Sequence, residues 1–106
     1  MKLFNLKSFT GGWFIGDFDP TIIKTKDFEV CIKRYNKGDS EPRHVHKLAD
    51  EISVIVQGSV KMNGKIYKSN DIILIEKNES TDFEALEDTT TCVVKKPSVM
   101  GDKYII

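Results

Sequence analysis

The two histidines of this chain, His44 and His46, are separated by one residue, and Glu51 follows five residues after the second. Side chains alternate between the two faces of a β-strand, so on a strand both imidazoles point to the same side. A turn through residues 47–50 would return the Glu51 carboxylate to that side. Two imidazoles and one carboxylate around a site with open positions form a facial arrangement that binds divalent transition metals. These three residues are therefore candidate metal ligands.

The rest of the chain predicts short strands and no helix. Runs rich in β-branched and aromatic residues are typical of strands, and they cover residues 12–16, 21–24, 28–35, 51–56, 59–62, 65–68, 72–76, 81–86 and 90–95. Turn-forming residues separate the runs, and Asn63-Gly64 is the strongest hairpin signal among them. Short strands at this spacing predict an all-β fold, an antiparallel sandwich or barrel, with residues 1–106 as one domain.

The composition excludes several classes of protein. Sixteen Lys and Arg balance sixteen Asp and Glu, so the chain lacks the positive field with which proteins bind nucleic acid. The longest apolar run, residues 72–75, is far shorter than the roughly 18 residues of a membrane-spanning helix. We therefore expect a soluble cytoplasmic protein with no nucleic-acid or membrane partner. Cys31 and Cys92 lie in apolar stretches, and we expect them to be free, buried thiols.

The spacing around the histidines resembles the first conserved motif of the cupin superfamily. That motif consists of a glycine, two histidines, a glutamate and a second glycine, and this chain supplies Gly38, His44, His46, Glu51 and Gly58. The resemblance is to a small, single-domain RmlC-like cupin, and it implies a jelly-roll or double-stranded β-helix barrel. It also implies that His44, His46 and Glu51 hold a divalent transition metal (Fe, Mn, Ni or Zn) in the barrel interior.

The second cupin motif is degenerate in this chain. Its glycine, proline, glycine, histidine and asparagine positions are occupied by Asn70, Glu76, Asn78, Thr81 and Ala85. Thr81 thus stands where the family has its fourth ligand, and a neutral hydroxyl is a poor ligand for such a metal. Strand alternation directs Thr81 and Phe83 to one face and Asp82 to the other. We therefore expect three protein ligands and open positions, as at catalytic metals.

The expected function is that of a metal-binding cupin that binds or acts on a small polar molecule, of sugar or carboxylate type, inside the barrel. The fold does not choose a reaction, and a metal-dependent isomerase or dioxygenase is the kind of enzyme that the resemblance suggests. Tyr35 is a further candidate, as a catalytic acid. Two alternatives stay open, namely a non-catalytic sensing module without a required metal and a structural protein with an empty barrel.

Two of the predicted strands, over residues 52–56 and 72–75, are apolar on both faces, whereas a strand with one solvated face alternates with polar residues. Their outer faces need a cover, and we expect a homodimer, with coverage by the N-terminal strands as the alternative. Trp13 is expected to pack in the core or an interface, and Lys95 to belong to a solvated strand end. Arg43 and Lys47 are expected to face solvent or the dimer interface.

Overall fold

The computed structural model describes all 106 residues and contains ten strands. The strands are β1 (Trp13–Ile15), β2 (Glu29–Tyr35), β3 (Ser40–Val45), β4 (Asp50–Gln57), β5 (Ser59–Met62), β6 (Lys65–Lys68), β7 (Ile72–Ile75), β8 (Ser80–Ala85), β9 (Thr89–Lys96) and β10 (Tyr104–Ile105). Two three-residue 3-10 helices, Leu6–Ser8 and Thr10–Gly12, precede β1. No helix is long and apolar enough to cross a membrane.

Two five-stranded sheets with antiparallel neighbours make up the fold. One sheet has the order β1-β2-β9-β4-β7 and the other the order β10-β3-β8-β5-β6. The chain passes repeatedly from one sheet to the other, so β3 and β4 are consecutive in sequence but lie in different sheets. The all-β jelly-roll, or double-stranded β-helix, that the sequence predicts is the fold observed.

The interior of the barrel is apolar at one end and polar at the other. Six buried apolar side chains form a core cluster, and they are Ile55, Val60, Met62, Ile75, Phe83 and Ala85. Along β4 the inward positions change from Glu51 and Ser53, which line a cavity, to Ile55, which belongs to the core. The core therefore fixes one end of the barrel, and the other end is left for polar side chains.

The structure corrects the predicted strands at three places. The prediction of a strand over residues 21–24 is wrong, because the segment makes only an isolated bridge between Ile15 and Ile23. Strand β3 was not among the predicted runs, because its sequence carries Pro42 and several charged residues that are unfavourable in strands. The β3–β8 register shifts between Glu41 and His44, and this irregularity accommodates the proline. The two-residue strand β10 was also missed.

The N-terminal segments leave the outer face of the β4–β7 pair uncovered. Ile52 on β4 is 41% exposed, and Ile72 and Leu74 on β7 are 68% and 56% exposed. Coverage of this face by the N-terminal strands, the alternative to a dimer, is therefore wrong.

The two cysteines are free, as predicted, but their environments differ. Cys31 is fully buried on the inward face of β2, whereas Cys92 is only partly buried. Burial raises the pKa of the Cys31 thiol to about 12, even though the ammonium groups of Lys33 and Lys95 act in the opposite direction. Cys31 therefore behaves as a small apolar side chain and not as a nucleophile.

The two glycines of the histidine motif have positive φ angles, and they provide a test of the fold. Gly58 has φ of 103°, and an added Cβ would lie 2.6 Å from the carbonyl oxygen of Asp88. Gly38 has φ of 92°, but an added Cβ would meet nothing within 4 Å.

We expect Gly58→Ala to lower the free energy of unfolding by at least about 3 kcal/mol, because it combines backbone strain with a steric clash. Gly38→Ala is the matched control, and it should cost only the strain, about 1–2 kcal/mol. Urea denaturation followed by circular dichroism measures both. Equal costs would contradict the close packing of the β4–β5 turn against residues 88–89.

Candidate metal and ligand site

A cavity of about 210 Å³ occupies the polar end of the barrel. Both sheets contribute to its wall. His44 lies on β3, and His46 directly follows the end of that strand. Glu51 and Ser53 lie on β4, and Thr81 lies on β8. The structure therefore brings all three predicted ligands, and the residue at the expected fourth position, to one cavity.

Both imidazoles are buried, and a backbone carbonyl orients each of them. The Nδ1 atom of His44 lies 2.9 Å from the carbonyl oxygen of Pro42, and that of His46 lies 2.6 Å from the carbonyl oxygen of Asp102. Because a carbonyl only accepts, each Nδ1 must carry the proton and donate it. In the neutral ring the Nε2 atom then holds a lone pair, which is the arrangement found in metal-binding histidines.

The Glu51 carboxylate is held in place at the cavity wall. The Ser53 hydroxyl donates a hydrogen bond of 2.8 Å to its Oε2 atom, and Oε1 lies 3.4 Å from Nε2 of His46. Burial of the side chain favours the neutral acid, but the Lys95 ammonium group, the Ser53 hydroxyl and, when its Nε2 atom carries a proton, the His46 ring outweigh the burial and hold the Glu51 pKa below its ordinary value. Glu51 is therefore an anion near neutral pH.

The Nε2 atom of His46 is buried and has no hydrogen-bond partner. When the ring is neutral and its one proton is on Nδ1, the Nε2 lone pair faces the Glu51 carboxylate, and two such acceptors repel each other unless a cation lies between them. Two ligand atoms bound about 2.1 Å from a tetrahedral metal lie about 3.4 Å apart, which is the spacing of His46 and Glu51. The chemistry of the donors therefore suits a metal ion.

The three predicted ligands are nevertheless too far apart, as their side chains stand, to bind one metal ion together. No group of three or more His, Cys, Asp or Glu side chains could hold a metal ion as the side chains stand. The His44 and His46 rings lie 5.3 Å apart between centroids, nearly perpendicular to each other. To hold one ion together, the three side chains would have to close by rotation.

Thr81 lines the cavity, but its hydroxyl is used locally. It pairs with His44 across β3 and β8, is 4% exposed, and donates a hydrogen bond of 2.8 Å to the carbonyl oxygen of Asp82. The Asp82 side chain lies on the outer face, where it pairs with the exposed Arg43 at 3.2 Å. The alternation predicted for β8 therefore holds.

Solved structures share this architecture, although no family model matches the sequence and no curated protein matches it. A Klebsiella pneumoniae protein with a double-stranded β-helix domain is 17% identical, with a TM-score of 0.70 over 94% of this chain and 88% of that one. An RmlC-like cupin from Shewanella frigidimarina is 15% identical, with a TM-score of 0.67 over 72% of this chain and 71% of that one. The chain has the cupin fold.

A larger protein with a metal is also similar. The pirin YhhW of Escherichia coli, in complex with nickel(II), is 19% identical, with a TM-score of 0.67. The match covers 82% of this chain but only 39% of the pirin. At these identities the likeness establishes the fold of the barrel and not the chemistry of its cavity.

Asp102 is a site residue that the sequence analysis missed. Besides offering its carbonyl to His46, it uses its buried carboxylate to accept hydrogen bonds of 2.9–3.1 Å from the backbone N–H groups of Lys47, Leu48 and Ala49. The single residue thus fixes both the His46 ring and the loop that leads to Glu51. No local pattern marks it, because its partners lie more than 50 positions away in the sequence.

Tyr35, the candidate acid, lies in the cavity wall and packs on Phe83 with 4.5 Å between ring centroids. Burial, and next the charge of Glu41, raise the Tyr35 pKa above its ordinary value. The phenol therefore stays protonated near neutral pH, where it is able to donate a hydrogen bond but not to act as a base.

The structure corrects two further expectations. Trp13 lies on the wall of the cavity instead of packing in the core, and Lys95 lies on the same wall instead of at a solvated strand end. Lys33 and Thr91, which the sequence analysis did not single out, join them there. These residues were missed because their role depends on the pairing of β9 with β2, which is not visible in either strand alone. Lys47 is exposed and lies 4.1 Å from the centre of the Tyr104 ring.

The Asp102 carboxylate provides a test of how the site is held. Asp102→Ala leaves three backbone N–H groups without their acceptor, so we expect the free energy of unfolding to fall by about 3 kcal/mol. Asp88→Ala is the matched control, because its exposed carboxylate accepts from a single backbone N–H, that of Lys37. We expect it to cost less than about 1 kcal/mol in the same urea denaturation experiment. Similar losses for the two variants would refute the role given to Asp102.

Proposed function

We propose that this cupin binds a small polar molecule, of sugar or carboxylate type, in the cavity and holds a divalent transition metal there with His44, His46 and Glu51. The observation that carries the metal is the buried Nε2 atom of His46, which has no hydrogen-bond partner and faces the Glu51 carboxylate at 3.4 Å. A bound cation removes the repulsion between these two acceptors.

The nickel bound by the similar pirin supports the same proposal, since that protein shares the barrel. Imidazole nitrogen and carboxylate oxygen suit Fe, Mn, Ni and Zn, so the donor set does not select among them. Bound at this site, such a metal would polarise a carbonyl or hydroxyl group of the ligand, or activate a water molecule. Since Thr81 supplies neither charge nor a free hydroxyl proton, the fourth protein position stays open to ligand or water.

The chain's own residues would orient the bound molecule. Ser53 holds the Glu51 carboxylate, and Tyr35 offers a protonated phenol to the cavity. The Asp102 carbonyl keeps the His46 lone pair directed inward. These cavity side chains are compatible with a metal-dependent isomerase and with a dioxygenase, and they do not distinguish the two reactions.

The second candidate function is a ligand-binding or sensing module without a required metal. It is favoured by the side-chain arrangement, in which no three such residues could hold an ion as they stand. In that case a proton on His46 would relieve the repulsion, and His46 and Glu51 would form an ion pair at 3.4 Å.

Metal titration separates the two functions. We expect the purified chain, stripped with a chelator, to bind Ni²⁺ or Zn²⁺, and His46→Ala and Glu51→Gln to weaken binding at least about 100-fold. His44→Ala should weaken it similarly. Affinity should fall as the pH is lowered, because protons compete with the metal for its ligands. Glu84→Gln, which removes an exposed carboxylate from β8, is the control and should bind as wild type does.

Isothermal titration calorimetry measures these affinities, and metal analysis of the protein as purified complements it. Absence of binding in the wild-type chain, or binding that survives in His46→Ala and Glu51→Gln, would exclude the metal and favour the sensing module.

We also propose that the protein is a homodimer. The outer face of the first sheet carries two rows of apolar side chains that the strand register aligns, namely Leu74, Ile52, Val94 and Val30 in one row and Ile72, Val54, Cys92 and Ile32 in the other. The chain has no net charge to oppose self-association. A second copy carries the same rows and would cover them in a two-fold contact.

A charge placed in these rows tests the dimer. We expect Ile52→Glu to convert the protein to a monomer at micromolar concentration, because the contact would bury two unpaired carboxylates. Ile66→Glu on β6 is the matched control, since Ile66 is 67% exposed but lies in the other sheet, and this variant should remain a dimer. Light scattering coupled to size-exclusion chromatography gives the masses. A monomeric wild-type chain of 12.1 kDa would disprove the proposal.

A cytoplasmic location is proposed on the cysteines alone. Both thiols are free, and neither is placed in a disulfide framework. Free thiols, one fully and one partly buried, suit a reducing compartment.

A further inference from the structure

The cavity wall formed by β2 and β9 carries two ammonium groups that no carboxylate contacts directly. Three lysines line the cavity, and Lys103 pairs with Glu41 at 3.1 Å. Lys33 and Lys95 make no ion pair with any carboxylate of the chain. Both are partly buried, so their charges are less screened than those of the exposed lysines.

Lys95 forms no ion pair although two glutamates neighbour it in the sheet. In the strand register Lys95 lies directly between Glu29 on β2 and Glu51 on β4. Each of those carboxylates accepts a hydrogen bond from a serine, Ser98 and Ser53 respectively, and not from the lysine. The Lys95 ammonium group lies instead 5.2 Å from the centre of the Trp13 ring, and that of Lys33 lies 5.8 Å from the same ring.

An ammonium group has three N–H donors, and one that lies near an aromatic ring directs at most part of them at the ring face. The Lys33 and Lys95 ammonium groups beside Trp13 thus retain donors for a ligand in the cavity. The pair forms a positive site next to the cavity space.

Thr91 adds a second, independent observation at the same place. It is 2% exposed, lines the cavity, and lies directly opposite Lys33 in the β2–β9 register. Its hydroxyl oxygen has no hydrogen-bond partner. A buried hydroxyl without a partner is costly, and a polar group of a ligand bound in the cavity would satisfy it.

We infer that Lys33, Lys95 and Thr91 bind the carboxylate of a small organic acid, whose remaining polar groups face His44 and His46. This inference rests on the proposed function only in taking the cavity as the ligand site, and it does not require the metal. The two ammonium groups donate to the carboxylate oxygens, and the Thr91 hydroxyl donates a further hydrogen bond. The ligand class of the cavity is therefore narrowed from polar molecules to small carboxylic acids.

The wall favours a carboxylate over a phosphate group. Three lysines and two glutamates, Glu41 and Glu51, line the cavity, so the net charge of these side chains is one positive charge, which matches a singly charged carboxylate better than a doubly charged phosphate group. The cavity volume of about 210 Å³ suits a molecule of few atoms. A second cavity of about 330 Å³ shares Trp13, His46, Lys95 and Lys103 with the first, and leaves room for a longer acid.

The test uses lactate and its neutral counterpart lactamide, which differ in charge but hardly in size. Trp13 is the only tryptophan of the chain, so its fluorescence reports on the site directly. The full chain is titrated in the presence of a chelator, which removes any metal. We expect saturable binding of lactate in the millimolar range and at least ten-fold weaker binding of lactamide.

The variants assign the effect to residues. Lys33→Met and Lys95→Met should each weaken lactate binding at least about ten-fold, and Thr91→Val about five-fold, with lactamide unaffected. Lys61→Met removes an exposed lysine from β5 and should leave lactate binding unchanged. Circular dichroism checks the fold of each variant, and Lys33→Gln and Lys95→Gln replace any methionine variant that does not fold.

Five outcomes decide the inference. Identical curves for lactate and lactamide, or an equal loss in Lys61→Met, would overturn it. Methyl phosphate binding ten-fold more tightly than lactate would overturn the choice of carboxylate in favour of a phosphorylated ligand. If the chain binds lactate through the two lysines but binds no metal, the carboxylate subsite is supported and the metal proposal is refuted. Metal binding without any preference for lactate leaves the metal standing and refutes the subsite.

Discussion

The position of β9 between β2 and β4 is the constraint on which the whole interior depends. The register aligns three rows of inward residues across these strands: Lys33, Thr91 and Ile55; Cys31, Val93 and Ser53; and Glu29, Lys95 and Glu51. Because side chains alternate, a slip of one residue would turn each row outward and bring the apolar outer rows inside. The core and both ligand subsites are therefore fixed by one pairing, and none of them is able to shift without the others.

The sequence predicted those features of the protein that depend only on residues close together in the chain. The fold follows from short strands and turns, and the Gly38 to Gly58 motif supplies three cavity residues at fixed local spacing. The sequence could not predict the roles of Asp102, Thr91 and Lys33. Each role depends on a neighbour in the fold that lies more than 50 positions away in the sequence. Strand β3 escaped prediction for a different reason, since Pro42 and its charged neighbours disfavour a strand that tertiary pairing nevertheless imposes.

The cavity has negative charge on one side and positive charge on the other. On one side the Glu51 carboxylate, whose pKa is lowered, lies 3.4 Å from Nε2 of His46, and the proposed cation would bind between them. On the other side two ammonium groups lie near a single indole, and the proposed anion would bind to them. The chain as a whole is neutral, so this separation comes from the placement of charges and not from their number. A molecule with an acid group at one end and metal-binding oxygens at the other would satisfy both proposed sites.

The contact between Asp102 and the residues after β3 also has a consequence for the order of folding. The histidines and Glu51 lie close together in sequence and are able to meet as soon as β3 and β4 form. The residue that orients His46 and fixes the loop is reached only 51 positions beyond Glu51. During synthesis the strands therefore emerge before the residue that orients their cavity side chains, and the complete cavity is among the last features to form.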